Sequence, residues 1–343
     1  MSNAFYFSAD NAAIKANGLF DFVMFCFQDF GVEMFFIDEI FKYTNWKQEL
    51  KNIIDSFPQI RIVFSGSSSM ALYDGVIDLG RRVYDYRVHT LSFREYLKLK
   101  HHIDLPQISF DDLLYNHEKL SVEYSIPLRK SYFDEYIQMG AYPFGLGVDF
   151  GSFANLLQKT LDRIILEDLQ YIRNYQTQSL DKLSKLIYFI ANTTPSELSI
   201  NHLSQKIGLD KNVVDNVLFL LSKIGVIHLI QKGQKLSEKV RKEYNIFLSD
   251  TNKYFVNNAA PDIGIIREAF FVSEMQKIRH IEISLPERSD FCVTYEGKQY
   301  LFEIGGKNKN PEKYPKNTFI VKDIFSPSEH SHSIPLWMFG FLN

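Results

Sequence analysis

The chain has 343 residues with 38 Lys/Arg and 41 Asp/Glu, a formal charge of −3, which excludes a globally basic nucleic-acid coat and an acidic tail. An apolar share of 45% against 23% charged residues fits folded domains rather than disorder, and at about 150 residues per domain the length predicts two domains, or three. Cys26 and Cys292 are too few for a disulfide framework or a Cys-rich zinc site, no stretch reaches the ~20 apolar residues of a membrane helix, and no signal peptide opens the chain. A reduced, cytoplasmic protein without membrane contact is the expectation.

In chain order, the aromatic run at 4–9 predicts a strand and a helical stretch follows to about Phe30. Residues 33–37 form an apolar run before Asp38-Glu39, as in a strand buried on both faces of a parallel sheet. From about Asn45 to Phe57, Trp46, Leu50, Ile53, Ile54 and Phe57 make one helical face, which Pro58 ends. Residues 60–64 predict another buried strand, closed by a Ser/Gly-rich turn from Ser65. Strand, helix and strand at this spacing make a βαβ unit, whose ligands bind at the C-terminal edge of the strands.

Residues 100–130 are polar and mixed, and read as a connecting region before helical periodicity returns at 131–175. From Leu180 to Lys232 the pattern predicts a helix at 180–192, a short helix with Ile200, Leu203 and Ile207, and a turn at Gly208-Leu209-Asp210. A third helix carries Val213, Val214, Val217, Leu218 and Leu221, and a strand at 226–230 follows. That is the order of a winged helix-turn-helix. The last hundred residues alternate short strands with one helix at about 265–279. Charge is uneven: residues 1–150 carry 14 basic against 20 acidic residues (−6), residues 151–343 carry 24 against 21 (+3), and the two parts are expected to do different work.

The sharpest chemical signal is Phe35-Phe36-Ile37-Asp38-Glu39. Nucleotide hydrolases place an acid at the end of a buried strand to hold Mg²⁺, with a neighbouring Glu to polarise water. Read alone, it is also how many ordinary strands end. The next strand closes with Ser65-Gly66-Ser67-Ser68, a small polar group beside the acids or an ordinary turn.

The order Phe36-Ile37-Asp38-Glu39-Ile40, Trp46, Phe64-Ser65-Gly66-Ser67-Ser68, Leu79-Gly80-Arg81-Arg82 and Leu91-Ser92-Phe93-Arg94-Glu95-Tyr96 resembles the predicted AAA-type ATPases of bacteria and archaea that carry a C-terminal domain of unknown function. The resemblance continues through Gly140-Ala141-Tyr142-Pro143-Phe144, Arg267-Glu268-Ala269-Phe270-Phe271, Asp290-Phe291, Phe302-Glu303-Ile304-Gly305-Gly306-Lys307 and Ile334-Pro335-Leu336-Trp337. It implies ATP and Mg²⁺ as cofactors, with Asp38 (toward Mg²⁺) and Glu39 (toward water) as the Walker B pair, Ser65 as sensor, and Arg81 or Arg82 as the charge-stabilising arginine. One departure is large. No Gly-x-x-x-x-Gly-Lys-[Ser/Thr] occurs, so the backbone N–H groups, Lys and hydroxyl that hold a triphosphate are absent. In the family the strand before that loop lies inside the sheet, so a gap is expected, and the ATPase half is truncated or degenerate and inactive as given.

The resulting fold expectation is α/β: an incomplete P-loop-type parallel sheet domain (1–100), a helical connector (101–178), a winged helix (179–240) and a C-terminal α/β endonuclease-like domain (241–343). In the last, Glu296-Gly297 between apolar runs signals a hairpin that sets Asp290 opposite Glu303. With Glu268 this resembles the acid cluster of the endonuclease-like fold, which uses Asp and Glu-x-Lys around Mg²⁺. Here Gly305 takes the lysine's place and Lys307 is displaced by two residues, so neutralisation of Asp290 by Arg288 or Lys307 is the alternative. The third helix of the winged segment begins Asp210-Lys211-Asn212-Val213-Val214-Asp215-Asn216, a poor base reader, while segment 180–243 carries 10 basic and 6 acidic residues (+4). Partners are therefore weak non-specific DNA, a protein partner or a second copy. Besides the ATPase reading stand a non-catalytic DNA- or protein-binding module and a metal-dependent nuclease. His101-His102 and His330-x-His332 lack partners at ligand spacing and are expected in loops.

Overall fold

Three short apolar runs become the parallel strands β1 (Ala4–Ser8), β2 (Met34–Asp38) and β3 (Arg61–Phe64), hydrogen-bonded in the order β1-β2-β3. Their connectors are helices α1 (Ala12–Asn17), α2 (Leu19–Phe30) and α3 (Trp46–Ser56). The helical stretch expected from the sequence is cut in two because Gly18, at φ 91°, ends α1 and starts α2. Right-handed crossovers that step one way along a sheet put their helices on one face. On that face Ile14, Leu19, Val23, Leu50 and Ile53 bury Phe35 and Ile37.

The opposite face is different. Tyr6, Phe36 and Val63 are register neighbours across the three strands and remain 65%, 36% and 51% exposed. The sequence predicts strands buried on both faces; among the described residues this face carries no comparable layer of buried side chains.

The computed structural model describes residues 3–66, 79–169, 180–233, 244–258, 260–310, 313–315, 317–325 and 333–343. Ser67, Ser68, His330 and His332 lie outside them, as does the side chain of Arg81. The chain divides into two compact units, residues 1–88 with 163–177 and residues 89–162 with 178–343. No helix among the described residues is long and apolar enough to cross a membrane.

The second unit opens with α4 (Phe93–His101), capped by the reciprocal Ser92–Glu95 hydrogen bonds of a capping box. The stretch read as a polar connector contains α5 (Phe110–Tyr115) and α6 (His117–Ser125), which bury Phe110, Leu113, Leu114 and Tyr124. Their turns are too short for periodicity to stand out from the polar residues around them. Helix α7 (Lys130–Glu135) runs into a π-helical turn at Tyr136–Gly140, and α8 (Phe150–Leu169) carries the chain into the first unit.

Helices α9 (Leu180–Ala191), α10 (Ile200–Ile207) and α11 (Lys211–Lys223) precede β4 (Ile227–Lys232) and β5 (Tyr244–Leu248), an antiparallel pair. After α12 (Thr251–Asn257) and α13 (Ile263–Gln276) come β6 (Glu282–Leu285), β7 (Phe291–Tyr295), β8 (Lys298–Gly306), β9 (Thr318–Asp323) and β10 (Ile334–Pro335). All seven strands from β4 onward form one mixed sheet, β10-β9-β8-β7-β6-β4-β5. The sheet is continuous across position 240, because β4 pairs with both β5 and β6. Phe271 of α13 stacks on Phe291 of β7 and meets Phe302 of β8 and Phe339 of the closing 3₁₀ turn Leu336–Phe341, with ring centroids 5.0–5.2 Å apart.

Candidate functional site

In the first unit the chemistry gathers at the C-terminal edge of the parallel sheet. The side-chain alternation that buries Phe35 and Ile37 turns Phe36 and Asp38 to the uncovered face. Asp38 closes β2 beside Ser8, its register partner on β1. Just past the end of β3, Ser65 donates its hydroxyl to Asp38 Oδ1, while Tyr6 Oη donates to Oδ2 at 3.0 Å and the Glu39 N–H to Oδ1 at 3.1 Å. The Ser65 hydrogen bond above all, helped by Tyr6 and the Glu39 amide, holds the Asp38 carboxyl below its ordinary range against the opposing effect of partial burial. Asp38 is thus an ionised carboxylate held in one orientation at a strand end.

Glu39 stands in the left-handed region at φ 51°, an uncommon conformation for a side chain of this size. Its carboxylate lies 4.0 Å from Arg163 Nη2 in the same unit. The backbone is pinned on either side: Ser65 N donates to Ile37 O at 2.9 Å and Ile40 N to Ser65 O at 3.0 Å.

Arg82 is elsewhere. It makes a two-pronged pair with Asp55, Nε to Oδ1 at 2.6 Å and Nη2 to Oδ2 at 3.0 Å. Asp55 sits in the last turn of α3, which leads back to the start of β3, so Arg82 belongs to the sheet edge opposite Asp38. Sequence reasoning missed Tyr6, although its place two residues before Ser8 on the same face of β1 is the available signal.

The donor set suits Mg²⁺ in part. Hard oxygen ligands, one or two carboxylates completed by water and phosphate, are its usual protein contribution, and Asp38 with Ser65 offers that. Among the described residues no group of three His, Cys, Asp or Glu side chains stands close enough to hold a metal ion.

The second unit brings together Asp290 and Glu303 as the hairpin register requires, one step beyond the Phe291–Phe302 pair. The Asp290 N–H donates to Glu303 Oε2 at 3.1 Å and the Ile304 N–H to Asp290 Oδ2 at 2.7 Å. The cation between the carboxylates is Lys309, not the expected Arg288 or Lys307. On α13, Glu268 is pushed up to about 7, by burial first and then by the Asp290 charge, with Lys309 opposing. Its neighbour Arg267 pairs with Asp323 at 2.9 Å.

In the helical segment, Asp210 caps α11 by accepting from Asn212 N at 2.8 Å, and Asp215 accepts the Tyr244 hydroxyl at 3.1 Å from β5. The acidic start of α11 is therefore occupied in holding its own fold.

Residues 1–97 match the family model of an AAA domain, and residues 130–252 match that of a domain of unknown function, DUF8612. The uncharacterized protein MJ1637 of Methanocaldococcus jannaschii is 27% identical over 252 residues, 70% of this chain and 53% of the relative. The chain spans about half the length of the curated relative it matches. Residues 1–97, with their parallel sheet and strand-end acid, are thus similar to an AAA domain.

Proposed function

We propose that the first unit is the metal-and-water half of an AAA-type ATPase site. One observation carries the reading: Asp38 and Ser65 open onto the same face that leaves Tyr6, Phe36 and Val63 exposed. A parallel sheet is ordinarily covered on both faces. A strand, phosphate loop and helix lying on β3 and over this apolar row would end beside Asp38, with the helix N-terminus facing the phosphates. No Gly-x-x-x-x-Gly-Lys-[Ser/Thr] occurs in the 343 residues, and the phosphate-holding half is assigned to a partner segment, supplied in the test below.

In this reading Asp38 orients the hydrated ion and Glu39 takes the proton from the attacking water, while Ser65 and Tyr6 keep Asp38 ionised and in place. Mg²⁺, when bound, supplies neutralisation of the phosphate charge. Arg82, held by Asp55, takes no part. The test is calorimetric titration of Mg-ATP into the chain alone and into a fusion carrying a strand, phosphate loop and helix. The chain alone should show no micromolar binding. The fusion should bind and hydrolyse ATP, and Glu39→Gln should abolish turnover while sparing binding. Micromolar binding by the chain alone, or full turnover in Glu39→Gln, overturns the proposal.

A further inference from the structure

The second unit offers a separate inference, independent of the nucleotide reading. Two carboxylates directly opposed on a hairpin repel one another unless something positive lies between them. In β7 and β8 that something is a side chain. Lys309 Nζ lies 2.5 Å from Glu303 Oε1 and 3.5 Å from Asp290 Oδ2, and donates to the Ile304 carbonyl at 2.7 Å. An ammonium has three hydrogens, and here it has three acceptors. The lysine reaches them because the chain turns back after β8, with Lys309 N donating to Gly306 O at 3.0 Å.

Gly305 explains the path. A Cβ built on Gly305 would overlap Lys309 Cδ and stand 3.1 and 3.2 Å from its Cγ and Cβ. The space that a side chain at 305 would fill is taken by the stem of Lys309. Gly305 is not at positive φ, so its lack of a side chain answers to this crowding and not to backbone conformation. The side chains of Lys309 and Glu303 are only 20% and 6% exposed. Burial works against the Lys309 charge, but the Glu303 hydrogen bond and the two carboxylate charges outweigh it and raise its pKa.

We infer that Lys309 is the resident cation of the Asp290–Glu303 pair, entering through the gap left by Gly305 and occupying the position a divalent ion would take between the two carboxylates. The hairpin is then closed by a side chain and needs no metal. Gly305 and Lys309 work as one device: the missing side chain at one position admits the charge from the other.

The experiment is Mn²⁺ titration followed by electron paramagnetic resonance on the full chain. Wild type should take up no Mn²⁺ that Asp290→Asn removes. Lys309→Met should gain a site at least about tenfold tighter than any in wild type, since a buried charge has left the carboxylates uncompensated. That gained site should vanish in Lys309→Met combined with Asp290→Asn. Mn²⁺ bound by wild type and lost in Asp290→Asn overturns the inference, as does a folded Lys309→Met chain that binds none. Gly305→Ala is the second variant, informative even if Lys309→Met does not fold: it should displace Lys309 and lower the Tm, and an unchanged Tm would also overturn the inference.

Discussion

Replacing Asn252 with Ala should be among the most damaging single changes in the second unit. Asn252 is fully buried at the start of α12, and its amide serves three backbone groups of the π turn and the residue after it. Nδ2 donates to the carbonyls of Tyr136 and Ile137 at 2.9 and 2.8 Å, and Oδ1 accepts the Ala141 N–H at 2.8 Å. Ile137 O keeps a second donor, Thr251 Oγ1 at 2.7 Å, so its loss is partial. At ~1 kcal/mol net for each bond, and ~1–3 kcal/mol for a buried group left unserved, the cost is about 3–5 kcal/mol. For a unit of this size that lowers Tm by roughly 6–20 °C. The two tryptophans make the assay specific, because Trp46 belongs to the first unit and Trp337 to the second. In a Trp46→Phe background, fluorescence-detected urea unfolding reports the second unit through Trp337. Asn252→Asp is the control: it keeps the shape and the acceptor for Ala141 but sets a carboxylate against two carbonyls, so it should lose more at pH 7 than near pH 4, where a protonated acid can donate. An Ala variant within ~1 kcal/mol of wild type would refute the reasoning.

Other outcomes follow from single observations. Glu268→Gln should stabilise the chain at pH 8 by up to about 3 kcal/mol, since the fold disfavours the charged form of a carboxyl raised from 4.5 to about 7, and at pH 8 that charged form prevails. The sign is fixed: between those values the native state binds more protons than the unfolded chain, so wild-type stability falls as pH rises, and the difference should vanish near pH 4.5 in chemical denaturation. Gly140→Ala should lower the Tm, because the new Cβ would stand 2.8 Å from the rings of Tyr136 and Tyr96. Arg82→Ala should leave thermal stability near wild type, because its pair with Asp55 is open to solvent. Fluorescence anisotropy with two unrelated duplexes should show at most weak binding, equal for both and lost at physiological salt; tight binding to one would refute that reading of α11.

The parallel strands were readable because their apolar runs are bounded by Asp38-Glu39, Pro58 and Ser65, and each boundary is local chemistry. The bare face was not, since Tyr6, Phe36 and Val63 look like core residues in any reading that assumes two covering layers. The Asp290–Glu303 opposition was readable because a two-residue turn at Glu296-Gly297 fixes every pair in the hairpin. The cation was not: Lys307 is nearer in sequence, but the turn after β8 directs Lys309 inward, and only the space above Gly305 distinguishes the two.

Gly140-Ala141-Tyr142-Pro143-Phe144 shows the same limit from another side. In the fold its first three residues have packing duties: Gly140 lies against two tyrosine rings, Ala141 N is taken by Asn252, and Tyr142 Oη donates to Asp250 Oδ2 at 2.8 Å and accepts from Lys253 Nζ at 2.5 Å. Asp250 and Lys253 form a buried ion pair, and such a pair is costly to break from either side because the survivor is left charged and dry. The motif and the segment 250–253 are therefore two halves of one buried network, more than a hundred residues apart in sequence. A change in either half therefore disturbs the hydrogen bonds of the other.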